Sequence, residues 1–359
     1  MAVTIKDIAR LAGVNHSTVS RALRDDARVS ASTRRRIKGL ARRQGYRVNR
    51  RARALVTGEM ANVGVVVAVE RESPLTHTFN ALDWIEFLDG ALHARGLELT
   101  LLAAPIVAPL EADEARLPER VLEMRVDGLI VANHMTAALA RALRNLEVPF
   151  VDVNGPMVKR VCTINIDEEK TTSVLVDHLA GLGHEAIAFV NSSHDNRFRT
   201  RLRARGYEQA MAERGLRPFR RWDALRPLEQ ACQDLFGQDP VPTAVICYDD
   251  TGAAYFERFL SIRGYDVPHG VSLASAHAVY FPLFLPISLT RMARPYAELA
   301  VLAVDALLSI AKGEGEKGRS MTLEPALELG ESTAKPGSES LPGKEVKLTG
   351  STVNYPGKR

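Results

Sequence analysis

Cysteine is scarce: three residues in 359, at 162, 232 and 247, odd in number and widely spaced. Such spacing builds neither a disulfide framework nor a paired-cysteine metal motif, and it suits a reducing, cytoplasmic setting. Long apolar runs are also missing. A stretch such as 63–69 falls far short of the ~20 residues a membrane-spanning helix needs, so no membrane association is expected. The N-terminus, MAVTIKDIAR, lacks the charged and apolar regions of a secretory signal. Catalytic signatures are absent as well: there is no G-x-S-x-G, no phosphate-binding P-loop and no H-x-x-x-H pair. An enzyme is not expected, nor is a metal or other cofactor.

Acidic residues are nearly missing from one part of the chain. Residues 1–60 hold fifteen Lys or Arg against four acids, a net +11 within a chain whose total is only +4. Residues 61–333 sum to −10 and residues 334–359 to +3. A small basic head on an acidic body implies a polyanion-binding module joined to something else. Hydrophobic content of 46% and charged content of 25% are those of an ordinary globular protein. The length is enough for two or three domains.

The first sixty residues read as three short helices. Thr4 caps the first, with Asp7 three positions on as its capping-box partner. Gly13 allows a tight turn, Asn15 starts a second helix carrying Val19, Ala22 and Leu23, and a third begins after Ser30. Residues 49–58, NRRARALVTG, form a separate basic segment with too few apolar residues to order alone, and are expected to be a conditional linker helix. From residue 61 β-branched runs alternate with helical periods. Strands are expected at 62–69, 97–103, 128–132, 149–153, 186–191, 244–248 and 271–276. Helices are expected at 81–95, 114–124, 136–146, 171–182, 202–214, 251–263 and 295–311. This alternation implies parallel sheets with helices on both faces, in two similar lobes, with a ligand cleft beyond the strands' carboxyl ends. The fold class expected is therefore an all-α helix-turn-helix head on an α/β two-lobed core. Residues 334–359, rich in Gly, Pro, Ser and Lys, read as a disordered tail.

Helix, glycine turn, then a helix with a polar start is the helix-turn-helix pattern, whose second helix enters the major groove. Asn15, His16 and Ser17, with Thr18 and Arg21 further along, are the candidates to reach base edges. Ser20, Arg24 and Arg34, with its neighbours Arg35 and Arg36, are candidates for phosphates. Thr4 joins the DNA-contact candidates at the head of the first helix. A small basic bundle with solvated charges is the bland alternative.

The segment TIKDIARLAGVNHSTVSRALRDDARVSASTRRRIKGLARRQGYRVNRRARAL resembles the DNA-binding head of the lactose-repressor (LacI/GalR) family. The likeness continues through VDGLIVA, VPFVDVNG, HLAGLGHEAIAFV, RARGYEQAMAERGL and VPHGVSLAS to ALELGEST, so it covers residues 3–333. It implies a head over 1–48, a hinge over 49–60 and a periplasmic-binding-protein-like core over 61–333. The lobes implied are about 61–160 with 290–320, and 161–289 with 321–333. It also implies a homodimer on double-stranded operator DNA, with Leu55 wedged into the minor groove, Asn49, Ala52 and Arg53 beside it, and Arg50 on phosphate. The regulated process implied is carbohydrate use, with corepression by a purine-like or phosphorylated ligand, or a sugar-binding protein without DNA, as alternatives.

For the effector, the resemblance points to Arg203, Arg197, Asp167, Asp249 and an aromatic at Phe79 or Trp84. Glu168 replaces the family's asparagine after Asp167, and Asp250 is expected to cap the helix that follows. His277 stands where the family carries an aspartate that binds two sugar hydroxyls. An imidazole cannot accept two hydroxyls as a carboxylate does. Together with the arginines, this tilts the effector from a sugar toward a sugar phosphate or sugar acid. Of the arginines in RFRTRLRAR, most are expected to be solvated.

Overall fold

The computed structural model describes residues 3–23, 25–44, 60–70, 84–106, 121, 123, 126–132, 135–192, 197–218, 220–224, 228–237, 240–278, 286–315 and 318–337. They divide into two units, residues 1–61 and 62–359.

The described residues of the first unit form three helices: α1 (Ile5–Ala12), α2 (His16–Leu23) and α3 (Ala31–Arg43). Thr4 and Asp7 form the capping box of α1, and Gly13 ends it with a left-handed backbone. Ile8, Ala9, Ala12, Val19, Ala22, Val29 and Ile37 make the small core.

The second unit contains two six-stranded sheets. The first is built from β1 (Asn62–Glu70), β2 (Glu98–Ile106), β3 (Gly128–Ala132), β4 (Phe150–Val153), β5 (Thr163–Ile166) and β11 (Ser320–Leu323). Its order is β11-β5-β4-β3-β1-β2 and every pairing is parallel. The second holds β6 (Ile187–Ser192), β7 (Arg220–Ala224), β8 (Ala244–Cys247), β9 (Ser272–Ser275), β10 (Thr290–Ala293) and β12 (Ala326–Glu328). Its order is β12-β10-β9-β8-β6-β7, parallel except at the β10–β12 edge. Strands such as GLIVA and AVIC are buried throughout because helices cover both faces, so they lack a polar side.

Among the described residues the helices of this unit are α4 (Ile85–Ala94), α5 (Ala137–Asn145), α6 (Glu168–Gly181), α7 (Arg197–Glu213), α8 (Leu228–Phe236), α9 (Asp250–Ile262) and α10 (Tyr296–Ala311). Helices α4, α5 and α10 serve the first sheet; the rest serve the second. The chain crosses between sheets three times: from β5 to α6, from β10 to α10, and from β11 to β12. The lobes therefore divide at other points than the sequence implies. Residues 163–166 pair with β4 and 320–323 with β5, so both belong to the first sheet, while 290–293 pair with β9 in the second. The fold class is as expected: a helix-turn-helix unit and a two-lobed α/β core with parallel sheets.

The tail boundary also moves. Ala334 accepts from or bonds to His184 Nε2 at 2.8 Å, and its N–H donates to Ser272 Oγ at 3.0 Å. The chain is thus described to residue 337, and 338–359 lie outside the described residues, as do most of the helix expected at 114–124 and residues 49–59 of the hinge. Among the described residues, no helix is long and apolar enough to cross a membrane.

One group sits uneasily in the first sheet. Asp152 is fully buried on β4, and neither carboxylate oxygen has a well-formed hydrogen bond among the described residues. Burial pushes its carboxyl well above the usual range, and the Val153 N–H opposes this only in part. A raised native pKa means that stability present below the unfolded value of 3.8 is lost as pH rises through the native value. Asp152→Asn removes the ionisation. It is expected to melt above the wild type at pH 8, by an amount equivalent to about 1–3 kcal/mol, with the difference shrinking toward pH 4. Melting curves across pH 4–8 check this; a variant that melts no higher than wild type at pH 8 contradicts it.

Candidate DNA-reading helix and candidate ligand site

In the head, the Asn15 carbonyl accepts the N–H groups of Thr18 and Val19 and so starts α2. Val19 and Ala22 turn inward, because they lie one turn apart on the same face. The opposite face carries Ser17 and Arg21, also one turn apart and exposed, with exposed His16 and Asn15 at its start. Thr18 and Ser20 are half-buried on its flanks. Thr4 is engaged in the cap: its hydroxyl donates to Asp7 Oδ2 at 2.6 Å and its N–H at 3.0 Å. Arg34 donates to the Asp25 carbonyl at 2.7 Å, and Arg36 to the Ala12 carbonyl at 3.0 Å, so both brace the helix-turn-helix from within. Arg24, Asn49, Arg50, Ala52, Arg53 and Leu55 lie outside the described residues.

In the core, six residues come together near the carboxyl ends of strands, four that follow strands and two from a helix. Glu168 follows β5, Tyr248 follows β8, His277 follows β9 and Arg294 follows β10; Arg199 and Arg203 come from α7. Glu168 Oε1 accepts from Arg199 Nε at 2.8 Å and from Arg294 Nη2 at 2.6 Å. Its Oε2 accepts from Arg203 Nε at 2.6 Å. Arg203 Nη1 donates to the Tyr248 carbonyl at 2.9 Å, and its guanidinium lies 4.1 Å from the centre of the Tyr248 ring. His277 Nε2 bonds the Tyr296 hydroxyl at 2.8 Å. Glu168, Arg199, Arg203, Arg294 and His277 are all buried.

The electrostatics follow from that burial. Desolvation alone would raise the Glu168 pKa, but Arg199, Arg203 and Arg294 overcome it and hold the carboxyl well below its usual range. His277 is pushed well below the usual imidazole range by burial first, then by Arg294, Arg199 and Arg203. It is therefore neutral at physiological pH. Glu168 thus binds all three guanidinium groups, and the neutral imidazole of His277 lies within their field.

Among the residues implied for the effector, Arg203 and His277 are in this group. The Arg197 backbone opens α7, but its side chain, like Phe79, lies outside the described part. Trp84 is buried at the start of α4. Asp167 and Asp249 act as helix caps: Asp167 Oδ1 accepts the Lys170 N–H at 2.8 Å, and Asp249 Oδ1 accepts the Gly252 N–H at 2.8 Å. The cap of α9 is thus Asp249, where the sequence points to Asp250. Asp250 instead pairs with Arg291 at 3.0 Å. Arg199 and Arg203 are buried, against the expectation of solvated arginines, whereas Arg201 and Arg205 are exposed. Four-residue spacing divides these arginines into two faces, 199 with 203 and 197 with 201 and 205, but does not mark which face is buried. Arg294 follows a four-residue strand without periodicity, and no local signal marks it.

A family model described as "Bacterial regulatory proteins, lacI family" matches residues 4–49, and one described as "Periplasmic binding protein-like domain" matches residues 176–333. The chain is 26% identical over 317 residues to the probable HTH-type transcriptional repressor ExuR of Bacillus subtilis (strain 168), over 86% of this chain and 91% of that one. It is also 26% identical to the HTH-type transcriptional regulator GalR of Escherichia coli (strain K12), over 94% of this chain and 97% of that one. Among solved structures, the Lac repressor dimer bound to operator and the anti-inducer ONPF matches with a TM-score of 0.74. There the identity is 22%, over 93% of this chain and 100% of that one.

Proposed function

The chain belongs to the LacI/GalR family of bacterial transcriptional regulators, and from that premise we propose an effector-responsive repressor of a carbohydrate-use operon. It binds operator DNA as a homodimer through α2, and a small molecule held at the strand ends of the core alters that binding. The observation that carries the DNA half is the exposed Ser17–Arg21 face of α2, opposite buried Val19 and Ala22. A polar, basic helix face of this kind reads base edges in the major groove. The similarity to a repressor solved as a dimer on operator supports the homodimer. In this reading Leu55 wedges the operator centre, with Asn49, Arg50, Ala52 and Arg53 around it. The effector must bind the operator-free and operator-bound forms unequally, or it shifts nothing.

The test is binding to a duplex enriched from a random pool, titrated against salt. Wild type is expected to prefer that duplex strongly and to lose affinity steeply as salt rises, through several phosphate contacts. Arg21→Ala is expected to weaken the selected duplex by about 10- to 100-fold, with a much smaller loss on random duplex. Equal affinity of wild type for both duplexes would overturn the regulator reading. Equal loss by the variant on both would move Arg21 from base to phosphate.

A further inference from the structure

Acids are rare in the head, yet two of them stand together where the reading helix ends. Residues 1–60 carry four, and Asp7 serves the cap of α1. Asp25 and Asp26 lie in the loop between α2 and α3. That loop is firmly placed. The Asp25 carboxylate accepts Lys38 Nζ at 2.6 and 2.7 Å, and its carbonyl accepts Arg34 Nη1 at 2.7 Å, so α3 grips it. The Asp26 N–H donates to the Arg21 carbonyl at 3.1 Å, and the Asp26 carbonyl accepts the N–H of buried Val29 at 3.1 Å. Asp26 is therefore fixed just beyond α2, beside Arg21. Arg28 clasps its carboxylate: Oδ1 accepts the Arg28 N–H and Nε, each at 3.0 Å, and Oδ2 accepts Nη2 at 2.7 Å. Arg28 first, and then the charge of Arg21, hold this carboxyl well below its usual range, so it is an anion at neutral pH. Arg28 is 73% exposed, and ion pairs in such settings add little to stability. What the pair does supply is a fixed negative charge next to Arg21.

Arg21 has two kinds of partner on a duplex. One is the anionic phosphate, present at every step; the other is the edge of a guanine, which carries no net charge. A carboxylate beside the guanidinium treats the two differently. It repels a phosphate that approaches Arg21, with an energy that grows as water leaves the interface. It sets no such charge repulsion against a base edge. We propose that Asp26 is a specificity-determining residue, which disfavours phosphate as the partner of Arg21 and leaves the base edge as the better one. This deepens the regulator reading and rests on it for the docking of α2 in the major groove. Specificity is a difference of affinities, so a charge that penalises the wrong contact raises it as well as a good contact with the right one does. Arg28 sets the strength of the effect, because it offsets the Asp26 charge and keeps the head attractive to DNA as a whole.

The experiment uses the full chain, the duplex enriched by wild type and a random duplex of equal length, at several salt concentrations. In D26N the random duplex is expected to bind at least about threefold more tightly, with a log–log salt slope steeper by about one, because Arg21 gains a phosphate. The enriched duplex is expected to change by less, so the ratio of the two affinities falls. In R28Q the Asp26 charge acts without its partner. The random duplex is then expected to weaken more than the enriched one, and the ratio rises. D26E keeps the charge and is expected to keep the wild-type ratio. The opposite signs separate specificity from folding, since a head that merely loosens loses the enriched duplex first in every variant. Equal gains on both duplexes in D26N would overturn the proposal. So would a random-duplex affinity or salt slope no greater than that of wild type, a ratio that fails to rise in R28Q, or a D26E as unselective as D26N. A wild type that prefers no duplex strikes the regulator reading instead, and the D26N salt slope on random duplex still decides whether Asp26 keeps Arg21 from phosphate.

Discussion

Ile8→Ala is expected to abolish operator binding by the full-length chain while leaving the melting of the core unchanged. Ile8 is fully buried, and its neighbours in the head core are mostly alanine and valine. Truncating a buried isoleucine to alanine costs about 2–5 kcal/mol, since the cavity adds to the lost transfer energy. A unit of this size has little reserve: at ~0.05–0.15 kcal/mol per residue its whole stability is only a few kcal/mol. The loss is therefore comparable to the total, and α2 no longer presents Ser17 and Arg21 on one face. The core has its own clusters around both sheets and belongs to a separate unit, so the defect should stay local. Duplex binding and calorimetry on the same preparation check both halves. A variant that binds its duplex within tenfold of wild type would show that the head tolerates the cavity.

The same head was the most legible part of the sequence, for the same physical reason. Its helices are bounded by side chains whose chemistry is local: Thr4 and Asp7 at one end of α1, Gly13 at the other, Ser30 before α3. The buried strands of the core were legible too, because strands covered on both faces are continuous apolar runs. The crossings were not. Strands β5, β10, β11 and β12 span three or four residues, too few for any periodicity to accumulate. Each is placed by its neighbour in the sheet, which is a long-range fact. The site inherits this difficulty. Arg203 and His277 are legible from their places in the family's motifs, but Arg294 depends on where β10 ends, and Glu168 on which lobe receives β5. Asp167 and Asp249 illustrate the converse. A carboxylate at a strand end looks like a ligand group in sequence, yet a helix that begins immediately after it takes the side chain as its cap.

Gly206→Ala should destabilise the core, although the same change in an exposed helix stabilises by about 1 kcal/mol. Gly206 lies within α7 where that helix meets α6. A methyl group there would sit 2.7 Å from the Glu169 Cα and 2.6 Å from Thr172 Oγ1, with the Glu169 carbonyl nearer still. Two of these three obstacles are backbone, which cannot rotate aside as a flexible side chain can. The helices must separate, and the contact that suffers first is the hydrogen bond from Thr172 Oγ1 to the Arg203 carbonyl, now 2.7 Å. Arg203 and Glu168 are anchored on these same two helices, so the separation also stretches their 2.6 Å ion pair. Overpacking of this kind costs about 1–3 kcal/mol, and a backbone obstacle places it at the upper end. For a unit of this length that corresponds to a fall of roughly 3–6 °C in the melting temperature. Gln209→Ala, on the exposed face of the same helix, is the control and should change stability by less than about 0.5 kcal/mol. If Gly206→Ala melts at or above the wild-type temperature, helix propensity outweighs the contact, and α6 and α7 are not held together as closely as Arg203 and Glu168 require.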